Sequence, residues 1–83
     1  MRITYDPSVD AAYIYLSSKI ARGAVARTYP CDPSEVKAEI NLDFDASGRL
    51  IGIEVLEASR QLPADLLKQA EVLHSSLEAL KRG

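Results

Sequence analysis

Asp43, Asp45, Ser47, Gly48 and Glu54 stand in the order that a calcium-binding loop uses: oxygen ligands at its first, third and fifth positions, glycine at the sixth and a carboxylate at the twelfth. A second acidic group, Asp6 and Asp10, flanks Pro7-Ser8-Val9. Five carboxylates, Asp6, Asp10, Asp43, Asp45 and Glu54, are therefore the material for a metal-binding or acid-base site, provided that the fold brings the two blocks together.

The residues around the loop oppose the calcium reading. Such a loop joins two helices, whereas residues 36 to 44 alternate, with an apolar side chain at every even position, and Ile51-Gly52-Ile53 is poor helix sequence. The same stretch reads as a hairpin in which Asp45-Ala46-Ser47-Gly48 forms a type I turn closed by a left-handed glycine. In that hairpin residues 43 and 50 are expected nearly opposite each other, with Glu54 beside Glu39. No metal centre and no cofactor are expected. Asp43, Asp45 and Glu54 are the residues that would serve if a metal site formed.

Catalytic constellations are missing from the sequence. The single histidine, His74, lies far along the chain from both acidic blocks, the serines lack a nucleophile elbow, and there is no phosphate loop or dinucleotide fingerprint. The sequence reads as non-catalytic, with no residue assigned a catalytic role.

The elements that must position these residues are those of a small α+β protein. With 83 residues the chain is expected to be a single domain, 1–83, with a sheet over about 1–57 and a helix over about 63–81. Strands are expected over residues 1–5, 12–16, 24–29, 36–44 and 50–56, the third at an edge because Pro30 terminates it. Four to five of them form a small antiparallel, meander-like sheet. Asp-Pro-Ser occurs twice, at Asp6-Pro7-Ser8 and Asp32-Pro33-Ser34. Aligning the two turns places Ala12 on Ala38, Ile14 on Ile40 and Leu16 on Leu42.

Leu66, Ala70, Leu73, Leu77 and Leu80 are spaced as one apolar stripe of the expected helix, which Leu67 widens. At ~1.5 Å per residue the helix would be ~28 Å long, more than the width of four or five strands at ~4.8 Å each. The stripe is therefore expected to cover the sheet and to reach a second subunit. A homodimer, or a complex with a small protein partner, follows as the expected state. The balance of ten Lys and Arg against twelve Asp and Glu gives a net charge of −2, which disfavours nucleic-acid binding. One cysteine, Cys31, cannot form an internal disulfide, and no segment has the apolar length of a membrane span. A cytoplasmic chain is expected.

Two blocks of the sequence carry a family resemblance. Ile3-Thr4-Tyr5-Asp6-Pro7 with Asp10-Ala11-Ala12-Tyr13-Ile14-Tyr15-Leu16, followed by Asp43-Phe44-Asp45 and Gly48-Arg49-Leu50-Ile51-Gly52-Ile53-Glu54-Val55-Leu56, resembles the small bacterial domain of unknown function DUF2283. The likeness covers about residues 1–59. It implies a compact α+β domain with an antiparallel sheet, supplies no catalytic residues, and permits an antitoxin-type role, because members resemble small partners of toxin-like proteins. The long C-terminal helix expected here departs from many members, and a partner-specific role would sit there.

Overall fold

Each Asp-Pro-Ser turn is built by its aspartate. Asp6 Oδ1 accepts from Ser8 N at 2.9 Å and Ser8 Oγ at 2.6 Å, and Asp32 Oδ1 does the same for Ser34 at 2.9 and 2.7 Å. The first turn carries strand β1 (Arg2–Asp6) into β2 (Ala11–Tyr15). The second lies between β3 (Arg27–Pro30) and β4 (Ile40–Phe44), where Asp32 caps the short helix α1 (Pro33–Val36). A computed structural model gives this architecture and describes residues 1–18 and 20–73.

Strand β5 (Leu50–Leu56) runs between the two antiparallel pairs, antiparallel to both β4 and β2. Helices α2 (Ala58–Gln61) and α3 (Ala64–Lys68) follow, and the chain returns as β6 (Glu71–Val72), parallel to β1. The described residues thus form one six-stranded, mostly antiparallel sheet of order β3-β4-β5-β2-β1-β6 with three short helices. The α+β class and the edge position of β3 agree with the sequence.

Four expectations are corrected. The sheet has six strands and not four to five, and it is not a meander, because β5 inserts between β4 and β2 and β6 joins the edge of β1. The strand expected over 36–44 begins only at Ile40, because Lys37 takes a left-handed φ of 54° and its N–H closes on Pro33 O at 2.8 Å. Two residues are thereby spent before β4 starts. The register follows: Ala12 and Ile40 both face Val55, and Ile14 and Leu42 both face Ile53, so equivalent positions are 28 apart rather than 26.

The hairpin register also differs. Asp43 lies opposite Gly52 and Phe44 opposite Leu50, so Ile51 is an extra residue in β5 and Glu54 faces Asn41, not Glu39.

The single helix over 63–81 is not found. α3 ends at Lys68, and Gln69 N and Ala70 N bond back three residues, to Leu66 O and Leu67 O at 3.1 Å. The chain then extends so that Glu71 and Val72 pair with Thr4 and Tyr5 and Leu73 N donates to Tyr5 O at 2.7 Å. Helix propensity in Leu-Leu-Lys-Gln-Ala is a preference of a few tenths of a kcal/mol per residue, and pairing the open edge of β1 overrides it. Leu77, Leu80 and His74 lie outside the described residues.

One face of the sheet is apolar, through Ile3 and Tyr5 in β1, Ala12 and Ile14 in β2, Ile53 and Val55 in β5, and Ile40 and Leu42 in β4. Its tightest packing lies under α2, where Ala12, Val55 and Ala58 form a cluster against Tyr5, Ile40, Ile53, Leu62 and Leu67. Ala58 is fully enclosed and Val55 is 2% exposed. The tyrosines of β2 occupy the other face, as the alternation predicts, with the rings of Tyr13 and Tyr15 edge to face at 4.8 Å. No helix among the described residues is long and apolar enough to cross a membrane.

Candidate functional site

The five carboxylates are distributed over separate tasks. Asp6 closes the first turn. Asp10, at a left-handed φ of 52°, holds α2 against the sheet: Oδ1 accepts from the Tyr5 hydroxyl at 2.7 Å and Ser59 N at 3.0 Å, Oδ2 from Ser59 Oγ at 2.7 Å, and its carbonyl from Ala58 N at 2.9 Å. The hydrogen bonds from Tyr5 and then Ser59 hold the Asp10 carboxyl below the usual carboxylate range, and the same bond raises Tyr5.

Asp45 organises its turn. Oδ1 accepts from Ser47 N and Arg49 N, both at 2.9 Å, and Oδ2 from Arg49 Nε at 3.1 Å. Gly48 N donates to Asp45 O at 3.0 Å with Gly48 at φ 83°, the left-handed closure that the sequence predicts. The backbone bond from Arg49 is the main reason that the Asp45 carboxyl is held low. Both Asp45 oxygens are thus engaged within its own loop.

Asp43 and Glu54 share the polar face. The Tyr13 hydroxyl donates to Asp43 Oδ2 and Thr28 Oγ1 to Asp43 Oδ1, both at 2.6 Å, while Glu54 Oε1 accepts from Asn41 Nδ2 at 2.8 Å. Tyr13 reaches Asp43 by lying across Gly52. A Cβ there would collide with the Tyr13 hydroxyl oxygen and stand 2.5 Å from Cζ. Burial, then the bond to Asp43, raises the Tyr13 hydroxyl well above the ordinary tyrosine value. Four strands are tied in one line, Tyr13 of β2 over Gly52 of β5 to Asp43 of β4 and Thr28 of β3. Among the described residues, no three His, Cys, Asp or Glu side chains are grouped to hold a metal ion.

The interface residues expected on a helical stripe are also separated. Leu66 lies in α3, Ala70 after it and Leu73 beyond β6, each half-buried, and Leu67 is the one that packs on the core. The surface with the features of a contact site is instead at the far end of the apolar face. There β3 is exposed along its whole length, Tyr29 is 60% exposed, and Phe44 is half-buried. Ala26, Arg27, Tyr29, Phe44 and the turn residues Asp45 to Gly48 line an open groove of about 570 Å3. Arg27 and Tyr29 face Phe44 and Leu42 in the register. The signal for this site was the alternation of Arg27 and Tyr29 on an edge strand ended by proline.

Comparison with curated proteins and with solved structures finds no match. Residues 2–59, which contain both resembling blocks and β1 to β5, match the family described as protein of unknown function (DUF2283). Covering Tyr5, Asp10 and Ser59, Tyr13 and Asp43, and the Asp45 turn, that match establishes that the chain belongs to the DUF2283 family.

Proposed function

We propose that this domain is a non-catalytic protein-interaction module of the cytoplasm, which associates with itself or with a protein partner in the manner of a small antitoxin-type partner. One observation carries the reading. Among the described residues the buried apolar ones are Ala12, Ala38, Ile51, Val55 and Ala58, three of them alanines, while no described residue covers Tyr29 and Phe44 at the β3–β4 end of the apolar face. Small domains bury too little surface to be comfortable alone, and an aromatic patch on a sheet face is the kind of surface that contacts use. The carboxylates add no rival site, since each already serves a turn, the α2 contact or a cross-strand hydrogen bond.

Light scattering across micromolar concentrations, together with recovery of partners on the tagged protein from its host, tests the reading. A concentration-dependent dimer, or a partner whose capture is lost in Tyr29→Ser, is the expected result. A strict monomer that captures nothing through this face overturns it.

A further inference from the structure

We propose that the groove beside β3 receives an acidic segment of a partner protein, bulky apolar side chains flanked by carboxylates, laid on the sheet face and not added to its edge. This rests on the interaction reading above and names the occupant of that surface.

The edge itself is poorly suited to strand addition. β3 has four residues, ends at Pro30, which has no N–H, and carries Arg27, all devices that blunt an edge. The face is better suited. Tyr29 and Phe44 offer two aromatic walls, anchors that contribute contact area with little loss of side-chain freedom.

Charge then selects the partner. Asp45, the groove's acid, has both oxygens engaged and is paired with Arg49. Arg27 has neither an ion pair nor a side-chain hydrogen bond to any described residue, so the unmatched charge at the groove is positive on a chain of net charge −2. A two-fold contact between grooves would bring two unmatched guanidinium groups into one interface, which costs affinity. A segment bearing carboxylates removes that conflict.

Nitrogen-15-labelled full-length protein titrated with three blocked tetrapeptides, Glu-Phe-Leu-Glu, Gln-Phe-Leu-Gln and Lys-Phe-Leu-Lys, tests the assignment. Amide shifts centred on Arg27, Tyr29, Phe44 and Gly48 are expected, with the Glu peptide bound about threefold more tightly than the Gln peptide, as exposed ion pairs contribute. Arg27→Gln should abolish that difference. Equal binding of the Glu and Lys peptides, or shifts centred on α3 and β6, overturns the proposal. So do groove shifts that grow with protein concentration alone, which indicate self-association and leave the broader interaction reading standing. If no peptide shifts the groove, the proposal falls, while the broader reading is decided by partner capture.

Discussion

Two regions of the apolar sheet face are finished differently. At the centre, over β2 and β5, α2 is fastened by Asp10 to Tyr5 and Ser59, and Val55 is enclosed with Ala12 and Ala58. At the β3–β4 end the fastening is on the opposite, polar face, where Asp43 joins Tyr13 to Thr28, and no described residue covers the apolar face at Tyr29 and Phe44. The same chemistry, a carboxylate accepting from one tyrosine and one aliphatic hydroxyl, closes a core in one place and only stiffens a sheet in the other. Order has been provided at the open end without cover, which is what a rigid contact surface needs.

The largest expected effect lies where the centre and the open end are coupled. Gly52→Ala places a methyl group in the path of the Tyr13 ring, so the ring must leave and Asp43 keeps only the donor from Thr28. Overpacking with a lost hydrogen bond should cost about 2–4 kcal/mol in urea unfolding, and Gly52→Ala in a Tyr13→Ala background should cost markedly less. Val55→Ala comes next, at about 2 kcal/mol, because it hollows the closed centre. Tyr29→Ala at the open end should stay within about 0.5 kcal/mol. Equal losses at Val55 and Tyr29 would erase the distinction between the two regions.

Acid sharpens the comparison further. The folded Asp10 carboxyl titrates below its unfolded value of about 3.9, so the unfolded chain binds the proton more readily. Its stabilising contribution is present above pH ~4 and disappears as pH falls through the folded value. Melting temperatures from pH 6 to 2.5 should therefore fall more steeply for the native chain than for Asp10→Asn. Parallel curves would detach Asp10 from the closure of α2. One modest effect is a gain: Lys37→Gly relieves a left-handed backbone and should raise stability by about 0.5–1 kcal/mol, without altering the groove.

Much of the sheet was legible because its signals are local. The alternation of Ala12 and Ile14 against Tyr13 and Tyr15 assigns both faces of β2, and Asp45 with Gly48 specifies a turn that four residues can close. Position along the sheet was less legible. The left-handed Lys37 and the extra Ile51 shift the register by one or two residues and leave no compositional mark. The site was hidden for another reason. Asp10 and Ser59 are 49 residues apart, Tyr13 and Asp43 are 30 apart, and no spacing rule joins side chains across strands that meet only in three dimensions. Leu66, Ala70 and Leu73 show the opposite failure, a clear helical period overruled by the empty edge of β1.

Strand β5 carries a consequence for how the chain is made. Both antiparallel pairs precede it in synthesis, yet neither touches the other in the sheet until residues 50–56 come between them. A nascent chain stopped before Leu50 thus holds two separate ribbons, each too small to persist in water. The domain must wait for its central strand, and the ion pair from Arg2 to Glu71 spans 69 residues, so its assembly is late and dominated by distant pairings. Whatever shelters the open aromatic end would be needed only after that moment.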